Sequence, residues 1–133
     1  MCEAANAAVV ERFYRLIEEN KYDEVAGLCH PEFRFYPQLD QALSANEFVA
    51  QEKANMDSCP NFTMRIHEMF TKGNQVACYV IFEGVHTKPF HDLPPTGNTL
   101  RFSLMFKLLV EDGLIKEKRA HYDSQDVVRQ LSA

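Results

Sequence analysis

The sequence predicts an α+β fold, in which an antiparallel sheet is covered on one side by helices. Three observations carry this. Residues 4–56 hold apolar stripes at helical spacing. Residues 62–122 hold four long stretches that alternate with the two-residue period of strands. Two of the junctions between those stretches, Lys72-Gly73-Asn74-Gln75 and Glu111-Asp112-Gly113, are tight hairpin sequences, which force antiparallel neighbours.

The elements follow in order. Val9, Phe13, Leu16 and Ile17 lie on one face of a helix over residues 4–20, which Asn20-Lys21 ends. Residues 22–29 read as a short second helix, stopped by His30-Pro31 because the residue before a proline avoids helical backbone. Phe33, Phe35 and Tyr36 suggest a short strand. Ser44-Ala45-Asn46-Glu47 is a capping box that opens a helix reaching Met56. Its stripe is Ala45, Phe48, Val49, Glu52 and Met56, so Glu52 is a carboxylate on an apolar face. Strands are predicted over 62–71, 76–86, 100–110 and 114–122. Asp123 caps a last short helix containing Val127, Val128 and Leu131.

The 133 residues suit one domain, 1–133, with a sizeable core. A net charge of −5 with no basic patch argues against nucleic acid and anionic membrane as partners. No apolar run approaches the ~20 residues that span a bilayer. The start, MCEAANAAVVERFY, has no basic n-region of the secretory kind. Cys2, Cys29, Cys59 and Cys78 have no metal-ligand spacing, so free thiols in a reducing cytoplasm are expected.

Several short motifs together resemble the SnoaL-like domain of the nuclear-transport-factor-2-like superfamily. They are His30-Pro31-Glu32-Phe33 after the second helix, Gly84-Val85-His86 before Leu93-Pro94-Pro95-Thr96-Gly97, Glu111-Asp112-Gly113-Leu114-Ile115, and Asp123 with Val127-Val128-Arg129-Gln130-Leu131. The resemblance covers nearly the whole chain. It implies a cystatin-like cone: a curved, mainly antiparallel sheet wrapped on one side by helices around an apolar pocket. It also implies a homodimer. Polyketide cyclases of this family carry a general acid/base carboxylate at the end of an E-H-x-D stretch. Here the corresponding residues are Glu117-Lys118-Arg119-Ala120, and Ala120 stands where that aspartate would be.

The shared phase of alternation predicts a closed, mainly apolar cavity lined by Phe13, Ile17, Phe48, Met64, Ile66, Val80, Phe82, Phe102, Leu104, Phe106, Ala120 and Tyr122. His86 continues the inward set Cys78, Val80 and Phe82, and is the expected main polar group and proton carrier. Tyr122 shares the face of Ala120 and can orient a carbonyl or enolate oxygen. Glu52 can act as a base raised by burial. Tyr14 is a further candidate from the first helix. His86, His91 and Asp92 offer ligand atoms, but H-x4-H is a weak spacing and no metal is expected. With no phosphate-binding loop, no organic cofactor is expected either.

Two functions are carried forward. One is a cofactor-independent isomerase, cyclase, dehydratase or hydrolase acting on a small apolar carbonyl compound. The other is a non-catalytic pocket for a small hydrophobic molecule, or a dimeric scaffold, which Ala120 favours.

Overall fold

The computed structural model describes residues 2–132. Helix α1 (Glu3–Glu18) buries Val10, Phe13, Tyr14, Leu16 and Ile17, and α2 (Tyr22–Gly27) buries Val25. Strand β1 (Cys29–Gln38) and the short β2 (Gln41–Leu43) form an antiparallel pair. Helix α3 (Ala45–Met56) opens on the capping box: Ser44 Oγ accepts from the Glu47 N–H at 3.3 Å, and Glu47 Oε1 accepts from the Ser44 N–H at 2.9 Å. Strands β3 (Thr63–Lys72), β4 (Gln75–Val85), β5 (Thr99–Glu111) and β6 (Leu114–Tyr122) follow, and α4 (Ser124–Ser132) closes the chain. Asp123 Oδ1 accepts from the Asp126 N–H at 3.1 Å, the expected cap. No described helix is long and apolar enough to cross a membrane.

The strands make one curved, unclosed sheet in the order β2-β1-β6-β5-β4-β3. All pairings are antiparallel except β1 with β6, which is parallel. Val76, Cys78, Val80, Phe82, Leu104, Phe106, Leu108 and Ile115 on its concave face are buried with α1 and α3 against them.

Three departures from expectation have local causes. The strand expected near Phe33 runs for ten residues and through Pro31, while α2 stops at Gly27. Proline is tolerated there because β1 skips regular pairing with β6 between Cys29 and Arg34. In β3 the register slips at His67, so alternation inverts and Phe70 points to solvent. In β6, Leu109 pairs with Glu117 but Val110 with Ile115, leaving Lys116 as a bulge. That bulge lets Ile115 and Lys118 both face inward, while the Lys116 Nζ reaches Glu111 at 2.8 Å.

Gly84 sits where β4 passes the turn after α3. A Cβ there would lie 2.8 Å from the Cys59 Cβ and 3.2 Å from the Phe62 Cβ. Gly84→Ala is therefore expected to cost about 1–3 kcal/mol by overpacking. Urea denaturation measures it, and an unchanged midpoint would mean that this backbone contact is looser than described.

Candidate active site

Between α3 and the concave face of the sheet lies a cavity of about 140 Å³. Phe35, Phe48, Met56, Met64, Phe82, Leu100, Phe102, Leu104, Phe106 and Ala120 supply most of its wall. It reaches the surface at Gln51, Pro37 and Tyr122, the last 47% exposed, so it is a pocket with a mouth rather than the closed space expected. Phe90, from the long β4–β5 connection, Val127 of α4, and Asn55 and Ser58 at the end of α3 also line it. The α4 helix is fixed to β5 by Gln130, whose side chain accepts from the Arg101 N–H at 2.9 Å and donates to the Arg101 carbonyl at 2.8 Å.

Lys118, Ala120 and Tyr122 follow one another along the inner face of β6, roughly 7 Å per step, from the interior outward. Lys118 is 1% exposed. Its Nζ lies inside a cage of five rings, with centroids at 4.2 Å (Phe106), 4.8 Å (Tyr14), 4.8 Å (Phe48), 5.5 Å (Phe35) and 5.7 Å (Phe13). Its charged neighbour is Glu52, whose Oε2 stands 3.6 Å away, an ion-pair contact slightly long for a hydrogen bond. Glu52 reaches this position because Phe48, Glu52 and Met56 share one buried face of α3.

Two influences on the lysine oppose each other. Burial disfavours its charge, whereas Glu52 favours it. Desolvation is the larger, and it holds the Lys118 ammonium below the usual lysine value. Burial, with a smaller contribution from Glu52, also raises the Tyr122 phenol, so that hydroxyl stays protonated at the mouth and can donate. Burial pushes the nearby Cys78 thiol up to about 12 and Cys29 up to about 11. These thiols stay neutral in the folded state at pH values where an unfolded chain, near 9, ionises. With respect to these thiols the folded state then binds more protons than the unfolded one, so their contribution to stability should fall as pH rises above about 9. Cys78→Ala should flatten that fall in a pH series of urea denaturations. An unchanged slope would exclude this thiol as a source.

The residues predicted from sequence divide into two groups. Glu52, Phe48, Met64, Phe82, Phe102, Leu104, Phe106, Ala120 and Tyr122 line the cavity. Phe13, Ile17 and Val80 do not: they are wholly buried in the packing between α1 and the sheet. Ile66 faces a separate groove along α1, beside Tyr14 and Arg15. Tyr14 lies edge-on to Phe13 and stacks on Phe106, with its hydroxyl buried and unpartnered.

His86 is also absent from the cavity wall, contrary to expectation. Strand β4 ends at Val85, and the Pro-Pro-Thr-Gly turn folds back over the imidazole. The Thr96 N–H donates to His86 Nδ1 at 3.3 Å, with Thr96 Oγ1 3.1 Å away. Nδ1 is therefore an acceptor, and the neutral ring carries its proton on Nε2, which is buried without a partner. The His86 carbonyl accepts from the Gly97 N–H at 2.8 Å. His86 thus braces the β4–β5 connection.

Lys118 was not anticipated. Its signal was present, because it lies two residues before Ala120 on a strand and at the histidine position of the E-H-x-D pattern. Among the described residues, one cluster could offer three metal ligands, His30, Glu111 and Asp112 at the β5–β6 hairpin. Lys116 already neutralises its Glu111, and none of the three lines the cavity.

The family model for SnoaL-like polyketide cyclases matches residues 7–131. Among solved structures, a candidate SnoaL-like polyketide cyclase from Jannaschia sp. CCS1 aligns with a TM-score of 0.90 at 21% identity, over 98% of this chain and 94% of that one. TsrD from Streptomyces laurentii aligns at 0.87 and 20% identity, over 100% and 98%. An LEH-like epoxide hydrolase from M. tuberculosis aligns at 0.75 and 15% identity, over 98% and 91%. No protein of curated function matches the chain. At such identities, likeness between structures speaks for the fold alone.

Proposed function

The chain belongs to the SnoaL-like polyketide cyclase family, and from that premise we propose that it is a small-molecule enzyme moving protons on an apolar, carbonyl-bearing compound. An isomerisation, cyclisation or dehydration fits this reading, and none needs an organic cofactor. The observation that carries it is the buried Lys118–Glu52 pair in a mainly apolar cavity. Taking two charges out of water costs several kcal/mol per ion, by rough estimate, and contributes little to stability in return. Such pairs in clefts are where acid–base groups are found.

In this reading the ammonium of Lys118 stabilises the developing enolate oxygen. Glu52 removes and returns the α-proton, and Tyr122 orients the substrate at the mouth. The pair takes over the work assigned to the cyclase carboxylate, since Ala120 has none. The volume suits one ring: an apolar space of about 150 Å³ holds benzene. The test is α-proton exchange of cyclohexanone and acetophenone in deuterated water, followed by NMR. Native protein should accelerate the exchange, and Glu52→Gln should slow it by about 10²–10⁴. No exchange above buffer for any compound of a broad ketone panel would contradict the reading.

Ala120 favours a second reading, a pocket that holds a hydrophobic molecule without changing it. A compound that binds in calorimetry but is returned unaltered and unexchanged would support it.

A homodimer in the cytoplasm completes the proposal. Tyr79, Ile81, Met105 and Leu109 lie on the convex face, where Met105 is 49% exposed. A two-fold contact there would bury an apolar patch, expected to exceed roughly 1,000 Å² in total. Sedimentation equilibrium should give a two-chain species at micromolar concentration, and Met105→Asp should dissociate it. A single-chain species in the native protein would exclude the dimer.

A further inference from the structure

We propose that Lys118 is an amine nucleophile, and that the cavity takes small aldehydes or ketones as covalent Schiff bases on its Nζ. The proposal deepens the acid–base reading above and rests on it for the site. Four features of the geometry point the same way.

Lys118 lines the cavity yet is 1% exposed, so its Nζ meets what enters the pocket and little bulk water. A lysine desolvated in an apolar pocket is the standard form of an activated amine. The five surrounding rings present π-faces that suit the cationic iminium as well as they suit the ammonium. Glu52, 3.6 Å from Nζ, is placed to take a proton from the attacking nitrogen and return it to the departing oxygen. Ala120, the next residue outward on the inner face of β6, has only a methyl group, so that part of the cavity wall carries no bulky side chain next to Lys118 on the strand. An aspartate at that position would place a second carboxylate close to the amine and favour its protonated form.

The step balances without a further reagent. The neutral amine attacks the carbonyl carbon, forming the C–N bond, and the π electron pair moves to oxygen. The nitrogen's two protons pass, through Glu52, to that oxygen. The C–O bond breaks and water leaves, giving the imine, and one further proton makes it the iminium. Loss of an α-proton to the Glu52 carboxylate gives an enamine, which can isomerise or attack a second carbonyl group. Water then re-enters to release the product and the free amine.

The test uses the native protein at neutral pH with benzaldehyde and sodium cyanoborohydride, which reduces an iminium to a stable secondary amine. Intact mass and peptide mapping should show one benzyl group, located on Lys118 ahead of the exposed lysines. Lys118→Arg keeps the charge, cannot form the imine, and should lose that adduct. Ala120→Leu fills the space beside the amine without altering the lysine, and should lower the extent of labelling at least several-fold. Acetylacetone, which forms a conjugated enaminone with a reactive amine, should raise a near-ultraviolet band absent from Lys118→Arg.

Benzyl groups spread over exposed lysines with none at Lys118 would overturn the proposal, as would labelling of Lys118 unaffected by Ala120→Leu. The same preparations are scored for α-proton exchange, which separates the two levels. Exchange without an adduct at Lys118 removes the covalent step and leaves the acid–base reading. An adduct without exchange keeps the nucleophile and removes that reading.

Discussion

On the acid–base reading proposed above, Lys118→Met should cut α-proton exchange by about 10²–10⁴ while the chain still folds. Methionine is unbranched and fills the slot among Phe13, Tyr14, Phe35, Phe48 and Phe106 at similar volume. The partner left behind, Glu52, lines the cavity, so its carboxylate can meet water there. The structural cost should therefore be modest, whereas exchange or turnover should fall by about 10²–10⁴, the range for losing a positioned acid–base group. Steady-state kinetics beside circular dichroism measures both. A folded Lys118→Met protein with native turnover would remove the lysine from the chemistry.

Glu52→Leu should be the more damaging change to stability. It leaves Lys118 buried without its counter-charge, and breaking a buried pair from one side typically costs about 3–5 kcal/mol. The double replacement, Lys118→Met with Glu52→Leu, should recover that loss and reach native stability or exceed it by about 1–4 kcal/mol, because both desolvation penalties then disappear. The four proteins form a double-mutant cycle in urea, and strong coupling is expected from side chains in contact. Additive losses would mean that the two charges do not sense each other.

The pH dependence of the single variant has a definite sign. Burial lowers the folded-state value of Lys118 below 10.5, and removing Glu52 takes away the largest influence that raises it. Between the folded and unfolded values the unfolded chain binds more protons, so stability rises with pH across that window. The penalty is at its full size below the folded value. Glu52→Leu should therefore recover part of its loss as pH rises toward the unfolded lysine value of 10.5, with the thiols opposing that gain above about 9.

Much of this site was legible because strand alternation holds without a slip along β4, along β5 as far as Leu109, and from Glu117 to Tyr122 of β6. Phe82, Phe102, Leu104, Phe106, Ala120 and Tyr122 all took their places from a two-residue period, and Glu52 from a helical stripe. What escaped was decided by tertiary context. Lys118 sits among Lys116, Glu117 and Arg119, a run that reads as a solvated strand. Only the aromatic cage and Glu52 make the interior tolerable for it. His86 departs from the alternation because β4 ends at Val85, and the turn beyond it captures the imidazole through Thr96. The long β1 and its parallel pairing with β6 were hidden by His30-Pro31, which signals a break and not the start of a strand. The bulges at His67 and Lys116 shift register without any glycine or proline to mark them.

The most direct measurement is the titration of Lys118 itself. Protein carrying carbon-13 at the lysine ε-position can be followed by NMR through the alkaline range, with Lys118→Met identifying the resonance. One lysine signal should titrate below the surface lysines, and in Glu52→Leu its replacement signal should titrate lower still. If the Lys118 signal titrates with the exposed lysines and ignores the loss of Glu52, the lysine is neither buried nor paired in solution, and the site described here is wrong.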